Sequence, residues 1–231
     1  MKFRIVSTLV VVAALAFGVY AQADKAKAVK DAQKRVDEAS KVMTEIMRAE
    51  DKSIPKDLLR KAQAIVVFPG AIKGAFILGA QGGKGIAIKR TSRGWSAPAF
   101  LEMAGGSVGF QIGGSKTDYI LLIMNDEGLK GLLTDKFEVG GEGSVAAGPV
   151  GRTAAASTNV TLDAGILSYS RSKGLFAGLS LKGVVITSDK DINDPLYQKT
   201  AKQILGNPAV PATAAPVALQ KFGTTVATYS R

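Results

Sequence analysis

The stretch "FPGAIKGAFILGAQGGKGIAIKR", residues 68 to 90, sets glycine at 70, 74, 79, 82, 83 and 85 among Phe, Ile and Leu, with Lys73, Lys84, Lys89 and Arg90 interspersed. Two readings compete, a glycine loop that cradles phosphate and a curved piece of sheet. A phosphate loop needs G-x-x-x-x-G-K-[ST] between a strand and a helix, whereas Lys84 lies between Gly83 and Gly85 and "IAIKR" continues as strand. The dinucleotide pattern G-x-G-x-x-G is absent there, and its nearest approach, "GEGSVA" from Gly141, lacks the third glycine and a following helix. Curved sheet is therefore the reading, because glycine inside strands permits coiling and close backbone approach.

Around this stretch the glycines concentrate between Gly70 and Gly183, and before Gly70 only Gly18 occurs. Runs rich in Val, Ile, Phe and Tyr alternate with glycine clusters across that interval, the pattern of an antiparallel sheet. Strands are predicted near 64–68, 74–80, 84–91, 99–112, 117–124, 144–147, 157–169 and 174–187, with one or two helical turns from Glu127 to Leu133. The fold class expected is α+β: a strongly curved, glycine-rich antiparallel sheet or barrel-like body flanked by N- and C-terminal helices.

The flanks read as helix. Val29, Ala32, Val36, Ala39, Met43 and Ile46 recur at steps of three and four, marking one helical face. Lys27, Lys34, Lys41 and Arg48 run beside Asp24, Asp31, Glu38 and Glu45. Steps of three pair Asp31 with Lys34, Glu38 with Lys41 and Glu45 with Arg48, so the outer face is expected to neutralise itself. The narrow Val, Ala, Met and Ile stripe suits packing on the body or on another chain's helix better than insertion into a membrane. Pro55 opens a second helix to about Ala62, and Asp194-Pro195 opens a closing helix to about Leu205. "NPAVPATAAP" is then a linker before a tail, Val217 to Arg231, expected to form a short helix or edge strand.

Lys2 and Arg4, the apolar run Ile5 to Val19, and Ala21-Gln22-Ala23 have the order of a secretory signal peptide. The expected organisation is a signal peptide over 1–23, N-terminal helices over 24–62, the β body with its closing helix over 63–206, and a Pro/Ala-rich linker and tail over 207–231. The expected location is the periplasm or beyond. Net charge is +11 over 231 residues and becomes +9 without Lys2 and Arg4, a balance that favours anionic partners.

Cysteine and histidine are both absent, which removes disulfides, thiolate chemistry, the usual general base and the commonest metal ligand. Gly105-Gly106-Ser107-Val108-Gly109 matches G-x-S-x-G, yet only Lys116 or Lys173 could activate the serine, and a strand bend is the better account. "DKDIN", Asp189 to Asn193, begins like a calcium loop, but its sixth place is Asp194 and its twelfth Thr200, where glycine and glutamate are needed. No enzyme activity, cofactor or metal is expected, and no nucleic-acid motif is present. The cations Lys84, Lys89, Arg90, Arg152, Arg171, Lys173 and Lys182 remain. They are either gathered at one rim, where they would bind phosphate headgroups, or scattered in solvent.

Five ordered blocks carry a resemblance: Phe68-Pro69, Trp95-Ser96-Ala97-Pro98-Ala99-Phe100, Gly109-Phe110-Gln111-Ile112-Gly113, Gly148-Pro149-Val150-Gly151-Arg152 and Ser168 to Gly178, "SYSRSKGLFAG". Together they resemble the SYLF domain over about Ile46 to Lys199. The resemblance implies a non-enzymatic module that binds membrane lipid and, in yeast members, actin. It leaves Arg152, Arg171 and Lys173 as the charged motif positions open to a ligand, and Leu196-Tyr197 keeps one tyrosine of a pair common at the family's end. The leading expectation is association with anionic phospholipid through a basic rim. The alternative is an envelope-structural or protein-interaction module that self-associates or meets a partner through residues 24–50.

Overall fold

The computed structural model describes residues 2–49, 53–75, 79–107, 113–141, 144–151, 164–172, 175–178, 181 and 183–230; at 2–21, 74–75, 79, 107 and 113–114 only the backbone is described. Among the described residues ten strands form one sheet that curls into a half-barrel, with helices at both chain ends, so the α+β class holds.

Helix α1 (Lys2–Arg48) lies along the sheet. Ala32, Val36, Ala39, Met43 and Ile46 are buried as their spacing requires, Val29 is half-buried, and Ala28 and Val42 widen the face. That face packs on this chain's own body, within one apolar core that includes the strands. α2 (Lys56–Lys61) follows Pro55 and anchors Leu59.

Strand β1 (Ala64–Ala75) and β2 (Gly79–Thr91) make the hairpin that contains the glycine-rich stretch. The strands predicted at 64–68 and 74–80 are thus corrected: β1 runs through Pro69-Gly70 as a bulge instead of ending there. Proline donates nothing to the ladder and Gly70 takes φ +58, which other residues rarely adopt. The freed Gly70 N–H donates to Asp118 Oδ1 at 2.8 Å. At Gly85 a Cβ would stand 2.4 Å from the Phe68 ring, so glycine there is required by packing.

β3 (Gly94–Trp95) pairs with the end of β2, and β4 (Ala99–Ser107) with its length. β5 (Gly113–Ile123) pairs with β1, and α3 (Asp126–Leu132) is capped by the Asn125 side chain. β6 (Lys136–Val139) is not among the predicted strands, although it alternates exposed Lys136 and Glu138 with buried Phe137 and Val139. β7 (Val145–Ala147) runs parallel to β8 (Ile166–Ser172), so the sheet is mixed rather than wholly antiparallel. The strand expected over 174–187 is two, β9 (Leu175–Gly178) beside β8 and β10 (Val184–Ser188) between β6 and β4. Gly183, at φ +73, immediately precedes β10. The sheet order is β6-β10-β4-β2-β1-β5-β8-β7.

The single closing helix is also two, α4 (Lys190–Tyr197) and α5 (Ala201–Leu205). Asp189 rather than Asp194 precedes α4, Pro195 lies inside it, Gln198 in the left-handed region ends it, and a Thr200–Gln203 capping box starts α5. The tail is no free linker. Ala97 N–H donates to Val210 O at 2.8 Å, and α6 (Lys221–Tyr229) buries Phe222 and Val226 while packing on α1.

Candidate functional site

Of the Ser107 motif, residues 105–107 stay in the β4 ladder with Gly106 opposite Ala80 and Ser107 opposite Gly79, while Val108 and Gly109 lie outside the described residues. "DKDIN" likewise serves the fold: Asn193, fully buried, accepts from Phe100 N–H at 2.9 Å and donates to Phe100 O at 2.7 Å. Among the described residues no group of acids is arranged to hold a metal.

Of the seven candidate cations, Arg152, Lys173 and Lys182 lie outside the described residues. The other four each have an internal partner. Lys89 Nζ donates to Gly206 O at 2.7 Å, at the C-terminus of α5. Arg90 donates to Leu59 O and Ala62 O at 2.7 and 2.9 Å, at the C-terminus of α2, and stacks 4.3 Å over the Trp95 ring. Both cations thus sit where helix carbonyls and the helix dipole favour positive charge. Burial lowers the pKa of Arg90. Arg171 bonds Asp118 at 2.8 Å and Glu45 of α1. Lys84 is 3.1 Å from Glu102 and 3.7 Å from Asp189. Burial alone would lower its pKa, but the Glu102 hydrogen bond and the Asp189 and Glu102 charges outweigh that and raise it.

Lys84 marks a cluster that the sequence reading passed over. Arg35, 6% exposed, donates to Asp189 Oδ2 at 2.8 Å, and Asp189 is 1% exposed. The guanidinium also reaches Gly85 O at 3.5 Å, beside the β1 bulge, and lies 5.6 Å over the Phe100 ring. The signal was present: Ala28, Ala32, Arg35, Ala39, Val42 and Ile46 form a second run of alternating four and three steps, with a charge inside it. Removing such a pair from water costs several kcal/mol per ion, so it specifies position more than it stabilises.

Beside this pair a groove of about 910 Å³ runs between α1, the Pro69-Gly70 bulge, Gly82-Gly83 and the start of α4. It meets a second of about 320 Å³ at Glu38, Pro69 and Gly70, ending at Lys116 and Arg171. From Asp24 to Glu45 the pair follows about 30 Å of α1. The helix acids do not serve only their own lysines. Glu45 bonds Arg171 as well as facing Lys41 at 3.9 Å, and Asp37 takes Lys221 at 2.6 Å. The expected pairing of Glu45 with Arg48 is replaced, because tertiary partners come closer.

A third feature lies at one end of the sheet. Ile72 is 60% exposed and directly opposite exposed Lys116; Lys116 O accepts from Ser172 Oγ, and Ser172 pairs with Leu175, 69% exposed. Ile72 and Lys116 therefore stand side by side on β1 and β5, while Leu175 lies on β9 beyond β8. Further along β8, Tyr169 is fully buried, stacked on Phe176 at 5.4 Å, and its hydroxyl has no partner among the described residues. Burial pushes its pKa upward. Gly148 must be glycine here, since a Cβ would fall 2.0 Å from that ring.

A curled sheet clasped by terminal helices, with its ionic groups spent on joints, defines a module built around surfaces and grooves. Comparison with known proteins gives the family. The family model described as "Ysc84: Las17-binding protein actin regulator" matches residues 104–228. The chain is 34% identical over 161 residues to LAS seventeen-binding protein 3 of Saccharomyces cerevisiae, spanning 67% of this chain and 35% of that protein. It is 33% identical over 174 residues to Protein YSC84 of the same yeast, 72% and 37% of the two chains. To SH3 domain-containing YSC84-like protein 1 of Rattus norvegicus it is 34% identical over 149 residues, 64% and 44% of the two. The chain belongs to the Ysc84 family, the SYLF group that its sequence blocks resemble. It spans less than half the length of these relatives.

Proposed function

We propose that this chain is a non-enzymatic binding module, exported after loss of residues 1–23, that associates with anionic phospholipid. The observation carrying this reading is the sheet end where exposed Ile72 stands directly opposite exposed Lys116. Aliphatic side chains enter the headgroup boundary while lysine meets phosphate, each cation near an anionic surface contributing about 1 kcal/mol. Lys84, Lys89, Arg90 and Arg171 are engaged within the fold, so a lipid contact by them is secondary to joining elements. Co-sedimentation with phosphatidylglycerol and phosphatidylcholine vesicles over a salt series tests the reading. Binding should need the anionic lipid, weaken with salt, and fall when Ile72 or Lys116 is replaced by Glu; binding indifferent to headgroup charge overturns it. Intact mass of the exported chain, expected to begin at Asp24, tests export.

A second reading, a protein partner of the actin-regulating kind, is favoured by the family description. Such a partner would not use the Val36 and Met43 face, which this chain's own body buries. It would meet the outer side of α1 and the groove. Co-sedimentation with filamentous actin, abolished by Lys34→Glu and Lys41→Glu together, distinguishes it.

A further inference from the structure

We infer that the smaller groove is a binding site for a phosphate ester, taken by Lys41, Lys116 and Arg171 in exchange for the Glu45 carboxylate. The inference rests on the phospholipid reading above and names the headgroup contact within it. Three elements bring cations to this one groove: Lys41 from α1, Lys116 from β5 and Arg171 from β8. Its volume, about 320 Å³, is at the small end for ligand pockets, the size of a headgroup rather than of a nucleotide or a whole lipid. Ile72, exposed and directly opposite Lys116, stands beside it as an apolar neighbour for the carbon end of the ester.

The acids of the groove differ in how firmly they are held. Asp118 accepts from Gly70 N–H at 2.8 Å through one oxygen and from the Arg171 guanidinium at 2.8 Å through the other, and its side chain is 15% exposed. It is a fixed part of the β1 bulge. Glu45 has no backbone anchor: its side chain is 39% exposed, bonds Arg171 and lies 3.9 Å from Lys41, one turn back along α1. A helical pair four apart with the base first is the weaker order. Lys116 is exposed, its ammonium in no ion pair among the described residues. A carboxylate is planar and serves donors side by side, whereas the tetrahedral oxygens of a phosphate ester reach donors on three sides. An ester can therefore answer Lys41, Lys116 and the Arg171 fork together, which Glu45 does not. Arg171 keeps its joint with Asp118, and only the Glu45 side chain has to give way.

Titration of the full chain with glycerol 3-phosphate, followed by amide chemical shifts and calorimetry, and co-sedimentation with phosphatidylglycerol vesicles test the site in parallel. The ester should shift the amides of Gly70, Lys116 and Arg171 saturably and leave those of α6 in place. Glu45→Gln should tighten binding of both probes about fivefold, and Lys41→Gln and Lys116→Gln should each weaken it about five- to tenfold. Asp31→Asn and Lys25→Gln, equal changes of charge at exposed α1 positions outside this groove, should change it less than about twofold. Ester binding with this pattern but no vesicle binding upholds the site and overturns the lipid reading, the source being a free phosphate ester. Vesicle binding without ester binding, with Glu45→Gln no different from Asp31→Asn, overturns the site and leaves the lipid reading standing. Binding of neither probe overturns both. Should Glu45→Gln fail to fold, the wild-type shifts still decide: an ester that leaves Gly70, Lys116 and Arg171 unmoved refutes the site.

Discussion

The two halves of α1 rest on the same sheet by opposite means. After Arg35 the helix buries Met43 and Ile46, and α6, which buries Phe222 and Val226, packs on α1. Before Val36 the described contacts are buried Ala28 and Ala32, the Arg35–Asp189 ion pair and the packing of α1 on α4. Apolar contact is non-directional and scales with area, so it fixes a helix firmly; a buried ion pair fixes register but returns little net free energy. One continuous helix thus has a fastened end and a registered end.

The largest break in that contrast should come from Phe222→Ala, which empties the clamp and is expected to cost about 3–5 kcal/mol in urea unfolding. Arg35→Ala should cost less than the roughly 3–5 kcal/mol typical of a broken buried pair, because Lys84, 3.7 Å from Asp189, still compensates the acid. A loss as large as that of Phe222→Ala would show that both halves are equally fastened.

Alkaline titration sharpens the comparison next. The raised pKa values of Lys84 and Tyr169, above their ordinary 10.5 and 10.0, mean that the folded chain holds protons that the unfolded chain releases. Stability from these groups is full below about pH 10 and falls as pH rises further. Lys84→Met should soften the loss on the ionic side. Tyr169→Phe should soften it on the apolar side and leave the urea midpoint at pH 7 equal or higher, since the buried hydroxyl has no partner among the described residues. The smallest effect belongs to Lys221→Ala: that pair with Asp37 is more than 40% exposed on both sides and should contribute under about 1 kcal/mol.

Much of this was legible in one dimension. Heptad spacing placed Ala32, Val36, Ala39, Met43 and Ile46 in the core, and the glycine-rich run after Phe68 read as bent sheet rather than phosphate loop. The candidate cations were harder. A lysine in a strand looks alike whether it meets solvent or a helix terminus, and only folding brings Gly206 to Lys89 or Leu59 to Arg90, 117 and 31 residues away. β6 was missed and β10 was merged with β9 for a related reason: the two pair with each other across 40 or more residues, and only folding brings them together.

By itself the sequence determined the class of the molecule, because periodicity of three and four, glycine density and the absence of cysteine and histidine are properties of near neighbours and of composition. Tertiary structure alone decided the use of its charges. A guanidinium attracts whichever carboxylate folding brings within 3 Å, and Arg35 meets Asp189 from 154 residues away, a distance over which no local pattern carries information.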